Sequence, residues 1–122
     1  MIHILIVEDD DFAREKVVNF VENLTGLKTM DTTSGNKAVE ILKSRKFSLI
    51  ISDFNMPDGN GDVVLNYLQE NKLFIPFIFH TAAISVTLPE QLSIEVRTVE
   101  KYDFEDLERS ILELLLISSR RK

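Results

Sequence analysis

Residues 48–61 read SLIISDFNMPDGNG, and this stretch indicates the fold more strongly than any other part of the chain. A short run rich in Ile and Leu is typical of a strand that is buried on both faces of a parallel sheet. Directly after the run, Asp53 opens a segment of Asn, Pro, Asp and Gly residues, which favour turns. We therefore predict a buried strand over residues 48–52 that ends in an acidic turn.

Similar apolar runs occupy residues 2–7, 27–30, 75–79 and 96–99, and segments with helical periodicity lie between most of them. The apolar faces of these segments comprise Ala13, Val17, Phe20, Val21 and Leu24 in the first, Ala38, Ile41 and Leu42 in the second, Val64, Leu65 and Leu68 in the third, and Leu107, Ile111, Leu114 and Leu115 in the last. Strands that alternate with helices predict an α/β fold, namely a doubly wound five-stranded parallel sheet with helices on both faces.

Polar residues mark the predicted starts of three helices. Asp10 and Ser34 precede the first and second helical segments, and both residue types are favoured as N-caps. Asp103 precedes the last segment, and Asp106 follows it at the spacing of a capping box. We therefore expect Asp10, Ser34 and Asp103 to cap these helices.

The segment after the fourth apolar run is a poor helix former. Residues 84–89 read ISVTLP, and β-branched residues and proline are unfavourable in the interior of a helix. We expect irregular chain there, followed by a short helix over residues 89–92.

Composition bounds the class of protein. The 122 residues predict one domain, spanning residues 1–122, and a net charge of −6 argues against unaided binding of nucleic acid. The basic run Arg120-Arg121-Lys122 is interpreted as a solvated helix end or the start of a linker. The chain has neither an apolar stretch as long as a membrane span nor a leader pattern at Met1, and it contains no cysteine. We expect a cytoplasmic protein.

Reactive side chains follow four of the five predicted strands. Glu8 and Asp9 follow the first strand, Asp53 the third, Thr81 the fourth and Lys101 the fifth. In open parallel sheets, ligands bind outside the carboxyl ends of the strands. Clustered carboxylates repel one another unless a cation joins them, and their hard oxygen ligands suit Mg²⁺. Each residue alone has an ordinary structural explanation, but together they predict a site for Mg²⁺ and an anion such as phosphate.

This pattern resembles the receiver domain of two-component response regulators over essentially the whole chain. The resemblance rests on residues 4–10 (ILIVEDD), on the D-x-x-M-P-x-x-x-G signature of residues 53–61, on His80-Thr81-Ala82 and on Lys101. It implies a flavodoxin-like strand order of 2-1-3-4-5.

The resemblance also implies roles for the residues of the site. Asp53 would be the phospho-acceptor, and Mg²⁺, the one cofactor, would be held by Glu8, Asp9, Asp53 and the backbone carbonyl of Asn55. The phosphoryl group would contact Thr81, the backbone N–H of Ala82, and Lys101.

The family implies partners as well. The phosphate would come from a sensor histidine kinase or a phosphotransfer protein, and it would control an effector domain or a separate output protein. The domain would catalyse only its own phosphorylation and dephosphorylation at Asp53. It would be a monomer or a phosphorylation-dependent dimer, without direct contact with nucleic acid or membrane.

The sequence departs from the family at the fifth strand. Thr98 stands where an aromatic residue is usual, and Tyr102 follows Lys101 where proline and a cis bond are usual. A cis bond to a residue other than proline costs about 2.5–4 kcal/mol, so we expect the Lys101–Tyr102 bond to be trans and the following loop to be shifted. We also expect activation to be read mainly through Thr81 and residues 83–87.

Three other classes of function compete with this interpretation. A degenerate receiver that docks a partner without phosphorylation would not need the complete set of site residues. A phosphatase of the haloacid-dehalogenase type requires a second aspartate two residues after the nucleophile, where this chain has Asn55. A flavodoxin-like cofactor binder requires a phosphate loop rich in hydroxyl groups and glycine after the first strand, where this chain has acids.

Overall fold

The structure, a computed structural model, describes residues 2–83 and 85–120. The strands are β1 (Ile2–Val7), β2 (Lys28–Thr32), β3 (Leu49–Ser52), β4 (Phe77–Thr81) and β5 (Val96–Glu100). The helices are α1 (Asp11–Thr25), α2 (Gly35–Leu42), α3 (Gly61–Glu70) and α4 (Phe104–Arg120). All neighbouring strands are parallel, in the order β2-β1-β3-β4-β5. The predicted α/β fold and strand order are confirmed.

Two hydrophobic cores cover the two faces of the sheet, because side chains alternate between the faces along each strand. On β1, Leu5 and Val7 face α2 and α3, whereas Ile4 and Ile6 face α1 and α4. The first core also contains Ala38, Leu42, Val64, Leu65, Leu68, Phe77 and Phe79, and the second contains Val17, Val21, Ile78, Val99, Leu107, Ile111 and Leu114. The helices therefore cover both faces of the sheet and leave its edges for other contacts.

The three predicted helix caps are confirmed. In each case a side-chain oxygen of the cap residue accepts a backbone N–H of the first turn, which satisfies a donor that the helix itself leaves unpaired. The N–H donors are Ala13 to Asp10 (2.7 Å), Lys37 to Ser34 (3.1 Å) and Asp106 to Asp103 (3.1 Å).

The short helix predicted over residues 89–92 is wrong. Residues 85–95 contain no helix, and Ile84 lies outside the described residues. The side chain of Gln69 on α3 holds this segment instead, because its Oε1 accepts the Ser93 N–H at 2.9 Å and its Nε2 donates to the Gln91 carbonyl at 3.2 Å. Ile94 is buried in the core beside α3. The chain thus crosses from β4 to β5 in irregular form, anchored by contacts that no local helix signal predicts.

The fourth strand begins two residues later than the apolar run suggests. Pro76 lacks an N–H for the ladder, and β4 instead continues through His80 and Thr81, both of which are buried. Among the helices that the structure describes, none combines the length and apolar character that a membrane span requires.

Candidate functional site

Four strands end at one edge of the sheet and bring the predicted side chains together there. The backbone N–H of Asp53 donates to the Val7 carbonyl at 2.9 Å, so Asp53 lies beside the end of β1. The backbone N–H of Lys101 likewise donates to the Thr81 carbonyl at 2.9 Å. Parallel register therefore places the residues at the carboxyl ends of β1, β3, β4 and β5 side by side at one edge of the sheet, as the sequence predicts.

The ammonium group of Lys101 bridges two buried carboxylates. Its Nζ lies 2.8 Å from Glu8 Oε1 and 2.9 Å from Asp53 Oδ2. The exposed fractions of the three side chains are only 15% for Lys101, 3% for Glu8 and 9% for Asp53. One cation is thus shared between two carboxylates. Because water screens these buried charges poorly, the attraction between them is stronger than at the surface.

Burial sets the protonation of this cluster. It raises the pKa of Glu8 to about 7, although hydrogen bonds from Lys101 and from the Asp10 N–H (3.2 Å) act in the opposite direction. Burial alone would lower the pKa of Lys101, but its hydrogen bonds to Glu8 and Asp53 outweigh that effect and raise it. Lys101 therefore stays charged, and Glu8 is poised to gain or lose a proton near neutral pH.

Three carboxylates form a group that fits a hard cation. Glu8, Asp9 and Asp53 each offer an oxygen, and these oxygens all lie within 4.8 Å of one another. Glu8 and Asp53 form the buried side of the group, whereas Asp9 is exposed. Mg²⁺ prefers one or two carboxylates and keeps several waters, so a site open on the Asp9 side suits it. The role of the Asn55 carbonyl stays a prediction.

Gly61, the last residue of the signature, allows α3 to start against the site. A Cβ atom at this position would lie 2.3 Å from the Asp53 carbonyl oxygen and 2.8 Å from the Phe79 ring. No side chain fits there without displacing the backbone that carries Asp53. The sequence signature contains this glycine, but the close approach that explains it depends on tertiary packing.

The loop between β3 and α3 is fastened to the start of α2. The carboxylate of Asp58 accepts hydrogen bonds from Ser34 Oγ at 2.9 Å and from Asn36 Nδ2 at 3.0 Å, and these two bonds lower its pKa. The Gly35 N–H also donates to the Gly59 carbonyl at 2.8 Å. This fastening was missed by sequence reasoning, which assigned Ser34 only a capping role.

The phospho-acceptor candidate is itself oriented from two sides. Asp53 Oδ1 accepts the Phe54 N–H at 2.6 Å, while Oδ2 accepts Lys101 Nζ. Thr81 is buried at the neighbouring strand end, where its Oγ1 accepts the Ala83 N–H at 3.1 Å, and Ala82 is exposed. The structure therefore brings the candidate nucleophile, hydroxyl and ammonium to one edge.

The residues after Lys101 depart from regular structure. The Lys101–Tyr102 bond is trans, as predicted, and Tyr102 has a left-handed backbone with φ 73°. The Tyr102 N–H donates to Nε2 of His80 at 2.9 Å. From the sequence, His80 was part of the motif before Thr81 but had no predicted role in the site. Thr98 is exposed on β5.

The fold and the site together define a small α/β protein with a cluster of carboxylates and one lysine at the carboxyl edge of a parallel sheet. Residues 4–100 match the family described as the response regulator receiver domain, and the chain belongs to that family. A region of 82 residues is 35% identical to the response regulator SaeR of Staphylococcus aureus strain USA300. That region covers 67% of this chain and 35% of SaeR, so the chain spans about a third of this relative's length.

Solved structures of receiver domains have the same fold. The signal receiver domain of a putative Luxo repressor protein from Vibrio parahaemolyticus superposes with a TM-score of 0.85 and 25% identity, covering 98% of this chain and 93% of that one. The response regulator TrrA of Thermotoga maritima, solved in complex with Mg²⁺ and beryllium fluoride, gives a TM-score of 0.78 and 24% identity. The alignment covers 93% of this chain and 99% of TrrA, and at that identity it speaks for the fold alone.

Proposed function

We propose that Asp53 accepts a phosphoryl group, in a Mg²⁺-dependent reaction, from the phospho-histidine of a sensor histidine kinase or a phosphotransfer protein. The observation that carries this proposal is the position of Lys101 Nζ, which lies within 2.9 Å of both Glu8 and Asp53 at the ends of three strands. Receiver-family membership of residues 4–100 supports it.

The reaction needs positioning more than covalent help from other side chains. A carboxylate oxygen of Asp53 attacks the phosphorus, and the bond between the phosphorus and the donor imidazole nitrogen breaks with its electron pair going to the nitrogen. Charge spreads over the three equatorial phosphoryl oxygens, so cations around them lower the barrier. Lys101 leaves Asp53 Oδ2 and pairs with one phosphoryl oxygen.

Glu8, Asp9, Asp53 and the Asn55 backbone carbonyl would hold the Mg²⁺ ion. When bound, the ion neutralises phosphoryl oxygens and the clustered carboxylates. Glu8 must be ionised to contribute, and its raised pKa makes that step sensitive to pH near neutrality. The three carboxylates of Glu8, Asp9 and Asp53, whose oxygens lie within 4.8 Å of one another, support this choice of metal.

Phosphorylation is read out where β4 ends. The Thr81 hydroxyl, which accepts the Ala83 N–H in this structure, turns to donate a hydrogen bond to a phosphoryl oxygen. The Ala82 N–H donates to the same phosphoryl group. This exchange releases the irregular chain that follows β4. The consequence is a changed surface for an effector domain or a separate output protein, in a cytoplasmic monomer or a phosphorylation-dependent dimer. The domain acts catalytically only on its own Asp53.

The test is incubation with Mg²⁺ and acetyl phosphate, followed by intact-mass measurement. We expect one added phosphate on the native protein and none on Asp53→Ala. Asp62→Asn, which removes a carboxylate from the first turn of α3, serves as a matched control and should be phosphorylated normally. Equal addition of phosphate to Asp53→Ala and the native protein would refute Asp53 as the acceptor, whereas a native protein that gains no phosphate would favour a docking module.

A further inference from the structure

We infer that His80 is a positioning residue, which holds the turn after β5 through the backbone N–H of Tyr102 and thereby places the ammonium group of Lys101 against Asp53. The inference rests on the proposed function of Asp53, since it names a residue that serves the same site.

His80 lies on the face of β4 opposite Thr81, because neighbouring side chains alternate along a strand. Its side chain is 2% exposed, and its ring centroid lies 6.2 Å from that of Phe104 and 6.3 Å from that of Tyr102. Phe104 in turn packs against Phe20 of α1 at 4.8 Å. The imidazole is therefore fixed within an aromatic group that joins α1, β4 and the start of α4.

The turn that follows β5 needs such support. Tyr102 has φ 73°, a backbone conformation that is costly for a residue with a large side chain. Its N–H points to Nε2 of His80 at 2.9 Å. Because a backbone N–H can only donate, Nε2 must be the unprotonated nitrogen, and the neutral ring carries its proton on Nδ1. Burial, reinforced by the charge of Lys101, lowers the pKa of His80 to about 4 and so favours this neutral form.

Two successive backbone N–H groups, those of Lys101 and Tyr102, are thereby hydrogen-bonded to β4. The Lys101 N–H donates to the Thr81 carbonyl at 2.9 Å, and the next N–H along the chain donates to His80. The turn closes with the Asp103 N–H on the Glu100 carbonyl at 3.0 Å. Without the His80 acceptor, the chain after Lys101 loses the contact that stabilises its strained conformation, and the long lysine side chain is no longer aimed at the pocket.

A double-mutant cycle tests whether His80 acts through Lys101. We expect His80→Leu to slow labelling of Asp53 by acetyl phosphate about tenfold, a modest loss for a misplaced reacting group. His80→Gln, which keeps a side-chain acceptor, should recover part of the rate. In the Lys101→Ala background, His80→Leu should have little further effect, because both substitutions remove the same contribution. His3→Leu, at the only other histidine of the sequence, should label at the native rate.

Nuclear magnetic resonance tests the hydrogen bond itself, without phosphate or Mg²⁺. We expect a scalar coupling across the bond between the Tyr102 amide nitrogen and His80 Nε2, together with slow exchange of the Tyr102 amide. His80→Gln should lose the coupling to an imidazole nitrogen and keep part of the protection from exchange. Unfolding curves of all variants confirm that the comparison is made between folded proteins.

The outcomes separate the two proposals. A native protein that labels at Asp53, with additive effects of His80→Leu and Lys101→Ala, would overturn the positioning role alone. Absence of the coupling, with a protonated Nε2, would overturn it as well. A native protein that does not label at Asp53 would overturn the proposed function, and the role of His80 with it.

Discussion

At the scale of single residues, two buried titratable side chains respond to pH in opposite directions. Burial raises the pKa of Glu8 from 4.5 to about 7 and lowers the pKa of His80 from 6.5 to about 4. Glu8 therefore favours the folded state fully below pH 4.5 and loses that contribution as pH rises to about 7. His80 favours the folded state fully above pH 6.5 and loses its contribution as pH falls toward 4.

In the native protein, the two contributions to the pH dependence of the free energy of unfolding partly cancel. Substituting one of the two residues should reveal the contribution of the other. In metal-free buffer, the free energy of unfolding of His80→Leu should fall as pH rises from 4.5 to 6.5, because the Glu8 slope remains. That of Glu8→Gln should rise over the same range, because the His80 slope remains. Each of these two opposite changes should amount to about 1–3 kcal/mol over this range. Urea unfolding at three pH values measures it, and parallel slopes in both variants would show that these pKa shifts are absent.

At the scale of elements, the features predicted from sequence are those with local causes. The caps Asp10, Ser34 and Asp103 act on N–H groups three residues away, and the strands are recognisable from apolar runs. The missed contacts join residues far apart in sequence: Gln69 lies 22 residues from Gln91, and His80 the same distance from Tyr102. Such contacts exist only after the sheet has assembled, so periodicity and composition carry no trace of them.

Because α3 contacts the site closely at Gly61, adding a single methyl group there should strongly reduce stability. Gly61→Ala should lower the free energy of unfolding by about 1–3 kcal/mol, because the added Cβ overlaps the Asp53 carbonyl and the Phe79 ring. Asn66→Ala, an exposed position on the same helix, should change stability by less than about 0.5 kcal/mol. Equal effects of the two substitutions in denaturant melts would contradict the close packing at Gly61.

The irregular crossover after β4 should report activation. With beryllium fluoride bound at Asp53, we expect amide exchange to change in residues 83–87, because Thr81 exchanges its contact with the Ala83 N–H for the phosphoryl mimic. Amide exchange in α2, which packs on the same face of the sheet, should change less. Hydrogen exchange with and without the mimic measures both segments. Unchanged exchange in residues 83–87 at full occupancy would exclude this route of readout.

At the scale of the whole molecule, a sheet covered by two cores carries three carboxylates and one ammonium group at one edge. Parallel topology made this convergence predictable from sequence, since Glu8, Asp53 and Lys101 each follow a strand and Thr81 ends one. Their distances and burial required the structure. Burial disfavours the charged form of Glu8, repulsion by Asp53 adds a smaller effect in the same direction, and the hydrogen bond from Lys101 offsets the two only in part.

A metal that binds only the folded state should therefore stabilise the entire domain. Mg²⁺ at about 100 times its dissociation constant should add about 2.7 kcal/mol by mass action. Asp9→Asn should raise the melting temperature without metal and abolish the response to Mg²⁺, while Asp62→Asn should keep the native response. Thermal melts with EDTA or Mg²⁺ measure both effects. A native Mg²⁺ response in Asp9→Asn would remove Asp9 from the metal site.

The most direct test of the central claim is a crystal structure with Mg²⁺ and beryllium fluoride. We expect beryllium to be bonded to a carboxylate oxygen of Asp53, with Lys101 Nζ and Thr81 Oγ1 donating to its fluorides and Mg²⁺ beside Glu8 and Asp9. Lys101 should have left Asp53 Oδ2, where it now lies at 2.9 Å. A fully ligated crystal with beryllium fluoride on another residue, or with Lys101 still paired to Asp53 and remote from fluoride, would contradict it.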